Sequence, residues 1–386
     1  MVVARRFRSR VRALASAVLA VGLVSAALTP ASAVGQHGDA VGQPDRTSGP
    51  AGHRPVPIVY DSDLDFDDAA TLLYLCQADK RGLIDLRAVT VVNNGVGTPG
   101  RSLTHARTIL ANCGLPDVPV ADGSEEWVNE PPPEARELFE RVLSGALGDA
   151  GVPDRPGEMS AAELIAATVR ASRVPVTVLT TGPLSNMSAA LDRMSPRTIS
   201  DRLGRVVAMG GAFDVGGNLF GSTAEGFDNT QEVNMWIDPL AADHVFATVP
   251  RARVSIVALD ATNHAPITPA YVERLGAEAA TYEARTVHAI VTQPGMPELI
   301  DLGIMYWWDA LAAVSLVTGY GVDYRVRTVD VVPDGPSAGR TVVVPGGTPQ
   351  RVSTTADGEL FEDLFLAGLN GCTGRTADGQ TAKLAR

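Results

Sequence analysis

The sequence predicts an α/β fold: a single domain with a mostly parallel central sheet and helices on both faces. Two observations lead to it. Short β-branched runs alternate with helical stretches from residue 56 onward, and polar residues or glycines follow the end of each predicted strand. Ligands bind beyond the carboxyl ends of the strands in such sheets. We therefore expect one catalytic domain over residues 55–375, with its site at that edge.

Five strands are predicted, at residues 56–60, 86–92, 174–179, 205–209 and 254–259. Apolar residues at helical spacing predict helices at 69–78, 102–112, 134–147, 161–171, 186–192 and 238–247. Asp238 before Pro239 is a favourable start for the last helix, because aspartate caps a helix and proline fits its first turn. Turn residues and valine runs at 326–354 predict strand hairpins at the end of the domain.

Residues 1–33 have the pattern of a secretory signal peptide. Five arginines precede an apolar stretch at 13–28, and Ala31-Ser32-Ala33 matches a small-residue cleavage site. The pair Arg5-Arg6 leaves a twin-arginine export route open beside the general secretory route. We expect a flexible leader at 34–54, a tail at 376–386 and no membrane-spanning segment after cleavage. The mature protein is expected to be secreted and soluble.

The chain is acidic, with a formal net charge of −12. Removing residues 1–33 removes five arginines and no acids, which leaves a net charge of −17. Such a chain repels phosphate backbones, so nucleic acid is excluded as a partner. Three cysteines, Cys76, Cys113 and Cys372, are too few for a disulfide framework. One disulfide bridge together with one free thiol is a possible arrangement.

Eight residues after the first predicted strand, DSDLDFDD at 61–68, contain five aspartates: Asp61, Asp63, Asp65, Asp67 and Asp68. An EF-hand calcium loop is excluded, because Phe66 and Leu72 stand where glycine and glutamate are required. A haloacid-dehalogenase type of phosphotransferase requires threonine or valine at the position of Asp65. Helix capping by solvated acids is the structural alternative. Otherwise, so many carboxylates indicate a bound cation or a cationic transition state.

The stretch resembles the DTDPGIDD signature of the inosine–uridine preferring nucleoside hydrolase family. Further segments resemble motifs of that family in the same order: VVNNG at 91–95, LTTGPLSN at 179–186, VVAMGGAF at 206–213, EVNMWIDPLAA at 232–242 and YWWDALAA at 306–313. The resemblance covers nearly the whole mature chain. It implies an open, Rossmann-like fold that hydrolyses the N-glycosidic bond of nucleosides, releasing ribose and the free base.

The resemblance also implies a Ca²⁺ cofactor. Asp63 would be a ligand and the general base that takes a proton from the metal-bound water. Asp68 and Asp309 would be side-chain ligands, and Thr181 would contribute its backbone carbonyl. Asp61 would orient these ligands. The carboxylates would stabilise the oxocarbenium ion that forms as the bond breaks.

The substrate implied by the resemblance is a small-molecule nucleoside. Its ribose would be bound by Asp67, Asn94, Asn218, Glu232 and Asn234. One branch of the family has a histidine as acid at the position of Trp308. The branch that prefers purines has tryptophan there and a second tryptophan near the position of Trp127. We therefore expect a purine held between Trp308 and Trp127 and protonated by solvent, with Trp236 and Trp307 as packing residues.

Two departures from the family pattern bear on the substrate. Leu64-Asp65 replaces Pro-Gly, and residues 219–231 form an insertion after Asn218. His264 is displaced by one position from the corresponding family histidine. Two alternatives therefore stay open: hydrolysis of another N-riboside or sugar conjugate on the same fold, or a non-catalytic, calcium-bound sugar-binding relative. The family also implies a homodimer or a homotetramer.

Overall fold

A nine-stranded sheet organises the computed structural model, which describes residues 55–148, 159–219 and 227–372. The strands are β1 (Val56–Ser62), β2 (Ile84–Val91), β3 (Val120–Asp122), β4 (Val176–Thr180), β5 (Leu203–Met209), β6 (Val254–Val257), β7 (Val322–Val331), β8 (Thr341–Val343) and β9 (Thr348–Ala356). Their spatial order is β3-β2-β1-β4-β5-β6-β9-β7-β8. Pairing is parallel from β3 to β9 and antiparallel for β9-β7 and β7-β8. The mostly parallel sheet is confirmed.

The helices cover both faces of this sheet. They are α1 (Phe66–Lys80), α2 (Arg101–Asn112), α3 (Pro133–Leu147), α4 (Ala161–Ala171), α5 (Ser185–Asp192), α6 (Pro196–Arg202), α7 (Val233–Ile237), α8 (Pro239–Thr248), α9 (Leu259–Thr262), α10 (Pro269–Glu278), α11 (Tyr282–Val291), α12 (Met296–Asp301), α13 (Trp308–Thr318) and α14 (Gly358–Leu369). The predicted signal peptide, leader and tail lie outside the described residues.

All five predicted strands and all six predicted helices are present, with shifts at their ends. The first helix begins three residues earlier than predicted, because Asp65 caps it at Phe66. The predicted strand at 254–259 ends at Val257, since the chain turns into α9 there. The predicted hairpins are confirmed, and β9 additionally joins the main sheet beside β6.

The chain order of the strands places a crevice at the end of β1. This strand pairs with β2 on one side and with β4 on the other, so successive connections leave it in opposite directions. Such a topological switch point opens the sheet at the carboxyl ends of its strands, where ligands bind in doubly wound folds. The aspartate-rich stretch at 61–68 begins at this point.

Side chains alternate between two hydrophobic cores along β1, as the twofold period of a strand requires. Ile58 and Tyr60 belong to one core, whereas Val59 belongs to the other. Cys76 lies in the first core, as predicted, and all three cysteines are free thiols. Within the described ranges, no helix has the length and apolar character needed to cross a membrane.

Replacing Phe365 by alanine tests the first core. Its ring contacts Tyr74, Phe361 and Trp307, with the Trp307 centroid 5.1 Å away. Loss of this fully buried ring should lower the free energy of unfolding by about 3–5 kcal/mol, measured by urea denaturation. The control is Leu240→Ala, because Leu240 is exposed and should change stability by less than about 0.5 kcal/mol. Equal effects of both changes would contradict the packing described here.

Candidate active site

The loop between β1 and α1 is held by a capping box. The Asp65 carboxylate accepts a hydrogen bond from the Asp67 N–H at 3.1 Å, and the Asp65 N–H donates to Asp68 Oδ2 at 3.0 Å. Leu64 is fully buried and has a φ of 58°, in the left-handed region. That conformation costs a leucine about 1–2 kcal/mol. The cap and the buried leucine together fix the path of the loop.

Asp61 connects the loop to two neighbouring elements. Its Oδ1 accepts hydrogen bonds from Thr90 Oγ1 at 2.7 Å and from Asn186 Nδ2 at 2.8 Å. Burial raises the pKa of Asp61 to about 7, although these two donors lower it. The Asp61 carboxylate belongs to neither carboxylate cluster described below, a placement that fits the expected orienting role.

Asp63 lies against the loop that follows β2. The Val96 N–H donates to Asp63 Oδ2 at 2.5 Å, and Ser102 Oγ donates to the Asp63 carbonyl at 3.1 Å. A Cβ atom at Gly95 would stand 2.2 Å from Asp63 Oδ2, and one at Gly97 would stand 1.7 Å from the Asp63 carbonyl oxygen. Both positions therefore require glycine for Asp63 to occupy its place.

Asp68 is hydrogen-bonded to the strand before it and to the end of β4. Its Oδ1 accepts from Tyr60 Oη at 3.0 Å and from Thr181 Oγ1 at 2.5 Å. The Thr181 carbonyl, the expected ligand atom, accepts from Asn234 Nδ2 at 2.9 Å. These bonds bring together three motifs that are far apart in the sequence.

The end of the chain joins the same cluster through Asp309. Its N–H, in the first turn of α13, donates to Asp67 Oδ2 at 3.0 Å. Both side chains are buried, with exposed fractions of 4% for Asp309 and 2% for Asp67. The late WDA motif and the first aspartate motif therefore share one site.

Carboxylate oxygens from five aspartates form two overlapping groups of three, and each group is close enough to share a cation. The oxygens lie within 4.8 Å of one another in two groups: Asp63, Asp65 and Asp68, and Asp65, Asp67 and Asp309. Burial, and then mutual repulsion, raises the pKa of Asp63 and Asp309 well above the ordinary range. Burial also raises the pKa of Asp67 to about 7 and that of Asp68 to about 6. Hard oxygen donors at this spacing fit a divalent cation, which would offset the repulsion.

Asp65 was not expected to be a site residue, because the resemblance places glycine there. The structure includes it in both carboxylate groups. The sequence held one usable signal: Asp65 and Asp68 have the three-residue spacing of a capping box, which directs both side chains toward the start of the helix.

A pocket opens beside the carboxylates. Its polar wall contains Asp63, Asp65, Asp67, Thr181, Asn218, Glu232, Asn234 and Asp309. Its apolar wall contains Phe66, Val96, Pro131, Pro132, Ala135, Phe139, Met209, Leu219, Val233, Trp236, Ile304, Met305 and Trp308. Among the described residues, no histidine, lysine, arginine or cysteine lines it. Carboxylates that could bind a cation and a hydrophobic surface suited to a flat ring thus line the same cavity.

Glu232 and its neighbours form a further part of the pocket wall. The Glu232 carboxylate accepts hydrogen bonds from the N–H groups of Gly211, Asn234 and Met235 at 3.0, 3.0 and 3.2 Å. Burial raises its pKa to about 7. Asn218 Oδ1 accepts from the Val233 N–H at 2.9 Å, so it also supports this segment.

Two of the expected substrate residues lie outside the pocket wall. Asn94 is buried, and its amide donates to the Glu126 carbonyl at 2.6 Å and to Ser185 Oγ at 2.8 Å. Trp127 is 40% exposed, and the guanidinium carbon of Arg136 lies 5.1 Å from its ring centroid.

Trp308 does line the pocket, as expected for a ring that contacts the base. It contacts Phe66, with the ring centroids 6.3 Å apart, and Tyr306, with the centroids 5.5 Å apart. Trp236, expected to be a packing residue, packs against Phe227 and also lines the pocket. Trp307 is fully buried, as expected. The aromatic part of the pocket wall therefore consists of Trp308, Trp236, Phe66 and Phe139, without Trp127.

Comparison with known proteins agrees with this geometry. A family model described as inosine-uridine preferring nucleoside hydrolase matches residues 58–363. A pyrimidine-specific ribonucleoside hydrolase RihA of Shewanella oneidensis is 33% identical over 231 residues, covering 57% of this chain and 64% of that protein. The RihA of Shewanella woodyi is 32% identical over 262 residues, covering 66% and 72%.

Solved structures share the fold. An inosine-uridine preferring nucleoside hydrolase from Bacillus anthracis superposes with a TM-score of 0.72 at 23% identity, covering 82% of this chain and 99% of that one. A purine-preferring ribonucleoside hydrolase from Gardnerella vaginalis gives a TM-score of 0.64 at 22% identity, covering 85% and 100%. At these identities, the likeness concerns the fold.

Gly95→Ala tests the contact that places Asp63. The added methyl group should displace the Asp63 carboxylate and weaken binding of a divalent cation by at least about tenfold, because one ligand leaves the cluster. Calorimetric titration of the chelator-treated protein with Ca²⁺ measures this. Gly216→Ala is the matched control, since a Cβ at Gly216 meets nothing within 4 Å. Unchanged affinity in Gly95→Ala would show that Asp63 is not a ligand.

Proposed function

The chain belongs to the inosine–uridine preferring nucleoside hydrolase family, and we propose that it is a Ca²⁺-dependent N-ribohydrolase that cleaves nucleosides to ribose and free base. One observation carries the proposal: four buried aspartates and the half-buried Asp65 converge at the topological switch point, next to an aromatic pocket. A buried acidic cluster indicates a cation, and the adjoining apolar wall suits a nucleobase. The N-glycosidic bond of a nucleoside joins the two parts that such a site would bind.

The cation would be held by Asp63, Asp65, Asp67, Asp68 and Asp309. When bound, it would neutralise their charge and make a water molecule that it holds more acidic. Calcium is proposed because its coordination is flexible and takes six to eight oxygen ligands, which suits several carboxylates and the Thr181 carbonyl.

Asp63 serves as the general base in this proposal. The Val96 N–H and the glycines at 95 and 97 hold its carboxylate in a fixed position at the pocket. It accepts a proton from the attacking water, whose oxygen bonds to the anomeric carbon while the carbon–nitrogen bond breaks. The base leaves with the bonding electron pair and takes a proton from solvent. Surrounding carboxylates stabilise the positive charge that develops on the ribosyl ring.

The ribose hydroxyls are assigned to acceptors on the polar wall. Asp67 and Glu232 both line the pocket, and Asn234 connects Glu232 with the Thr181 carbonyl through its N–H and its side-chain amide. Buried acceptors that must be paired discriminate strongly against sugars that lack the matching hydroxyl. The proposal therefore includes a preference for ribonucleosides over 2′-deoxyribonucleosides.

For the base, we propose a purine. Trp308 offers a stacking surface, and the described pocket wall has no imidazole that could protonate a pyrimidine. A stacked purine can instead be protonated at a ring nitrogen by solvent. Trp127 would have to leave Arg136 and turn inward to complete the expected pair of tryptophans.

A second candidate is a pyrimidine nucleoside. It is favoured by the curated relatives at 32–33% identity, which are named as pyrimidine-specific ribonucleoside hydrolases. In that case Trp308 and Trp236 would enclose a smaller ring, and Trp127 would keep its contact with Arg136. The two candidates differ in which nucleosides are cleaved and in the role of Trp127.

A panel of inosine, adenosine, guanosine, uridine and cytidine, assayed for free ribose with and without a chelator, tests the reaction. We expect release that requires Ca²⁺ and a loss of about 10²–10⁴-fold in kcat for Asp63→Asn, the usual range for a general base. Asp117→Asn, an exposed aspartate, is the matched control and should keep full activity.

The negative outcomes of this panel separate the alternatives. Release of ribose that a chelator leaves unchanged would contradict the cation's role. Binding of Ca²⁺ without cleavage of any of these nucleosides would favour a sugar-binding relative or a hydrolase of another N-riboside or sugar conjugate. Cleavage of uridine and cytidine alone would replace the purine proposal by the pyrimidine candidate.

Substitution of the tryptophans tests the aromatic contacts. Trp308→Ala should lower kcat/KM for the preferred nucleoside by about 10- to 100-fold, because a base–aromatic stack contributes about 1–3 kcal/mol. Trp127→Ala should have a similar effect if a purine is held between both rings, and almost none if Trp127 stays on Arg136. An unchanged kcat/KM in Trp308→Ala would remove Trp308 from the base site.

We also propose that the protein is exported and acts outside the cell as a homodimer or homotetramer. The arginine-rich start, the apolar stretch and Ala31-Ser32-Ala33 support export. Mass spectrometry of the protein recovered from the culture medium should give a mature chain that begins at Val34, and sedimentation gives its oligomeric state. A product that stays in the cell with residues 1–33 attached would contradict the export proposal.

A further inference from the structure

A second cleft lies at the other end of the parallel strands from the aspartates, beside the amino-terminal halves of β1, β4, β5 and β6. It encloses about 490 Å³ between the sheet and the last turns of α13, a size in the range of small-molecule sites. Asp309 lies in the first turn of α13, whereas Ser315, Leu316 and Val317 line the cleft. An 11-residue helix is about 16 Å long, so the cleft is separate from the carboxylate cluster.

Two arginines without acidic partners line this cleft. Arg205 and Arg351 stand on β5 and β9, with β6 between them. In the part of the chain that the structure describes, neither forms an ion pair. The guanidinium of Arg351 lies 4.8 Å from the Tyr324 ring centroid. Arg205 is exposed at the protein surface, and partial burial together with the neighbouring charge of Arg351 lowers its pKa. Two like charges that face one cavity in an acidic protein attract an anion.

A buried hydroxyl provides the second, independent indication. Ser255 pairs with Arg351 in the sheet, lines the cleft and is only 2% exposed. Among the residues that the structure describes, its Oγ has no hydrogen-bond partner. A buried donor without a partner is destabilising, so a partner from outside the chain would stabilise it.

The α13 C-terminus explains only part of the positive charge. Its exposed carbonyls carry the equivalent of about half a negative charge, which favours a nearby cation. The two guanidinium groups carry about one and a half positive charges more than these carbonyls can balance. Part of the remaining wall is apolar and includes Ile58, Ile84 and Leu316, whereas Thr177, Ser315 and Tyr324 add hydroxyl groups to it. A bare inorganic ion would leave the apolar part without contact, whereas an anion with an apolar body would cover it.

We propose that this cleft binds a small organic oxyanion, a carboxylate or phosphate group attached to an apolar body. The oxyanion accepts hydrogen bonds from Arg205, Arg351 and the Ser255 hydroxyl, and the apolar body packs on the wall formed by β1, β2 and α13. The site is independent of the proposed nucleoside hydrolysis, because it shares no residue with the pocket that adjoins the aspartates.

Calorimetric titration with phenyl phosphate, benzoate and inorganic phosphate tests the proposal. Chelator-treated protein is used, so that no cation at the aspartates can bind the probes. Phenyl phosphate or benzoate should bind more tightly than inorganic phosphate. The double variant Arg205→Gln/Arg351→Gln should weaken binding by at least about tenfold, since charge-assisted hydrogen bonds are lost. Ser255→Ala should weaken it by a smaller factor.

The matched control removes the same charge elsewhere. Arg141→Gln/Arg197→Gln changes two exposed arginines, 58% and 92% accessible, and should leave the affinity within about twofold. Absence of binding by all three probes would overturn the proposal, as would equal affinity in the native chain and the Arg205/Arg351 variant. Tighter binding of inorganic phosphate than of phenyl phosphate would overturn the assigned ligand class.

Discussion

The site depends on one constraint: aspartate carboxylates from the loop after β1 and from the start of α13 converge, four of them buried and that of Asp65 half-buried. Carboxylates this close repel one another, and burial adds a desolvation cost that raises the pKa of each. The fold places hydrogen-bond donors against these carboxylates: the N–H groups of Val96 and Asp309, the hydroxyls of Tyr60 and Thr181, and the start of α1. These donors offset part of the cost, and a cation would offset the rest. Without a cation, the repulsion among the carboxylates destabilises the folded protein. The same repulsion would give the site affinity for a cation.

The topology determines why these carboxylates meet. β1 lies inside the sheet, between β2 and β4, so the loops after these two strands flank the residues that follow β1. The loop after β2 supplies Val96 and the glycines at 95 and 97, and the end of β4 supplies Thr181. Helix α13 approaches from a late part of the chain and adds Asp309. Because most of these side chains are buried, the local dielectric constant is low, which strengthens the electrostatic interactions among them.

Much of this could be predicted from the sequence because the signals are local or carried by motifs. Strand and helix periodicity located the elements, and the family motifs identified Asp63, Asp67, Asp68, Thr181 and Asp309, which the structure brings together. The strand Val120–Asp122 was missed because three residues carry no period, and α9 was missed because it has only four residues. Helices α10 and α11 do have apolar residues at helical spacing, which the prediction overlooked. The position of Trp127 depends on Arg136, a contact that no local pattern encodes.

The replacement of Pro-Gly by Leu64-Asp65 shows how two neighbouring changes can compensate each other. Leu64 adopts a positive φ at a cost of about 1–2 kcal/mol, but burying its side chain contributes about 1.5–3 kcal/mol. Asp65 brings a further negative charge, yet its carboxylate caps α1, where the helix dipole favours an anion. The loop therefore holds Asp63, Asp67 and Asp68 together with a further carboxylate, that of Asp65. Since each added carboxylate raises both the attraction for a divalent cation and the repulsion without one, Asp65 would make the site more dependent on a bound cation.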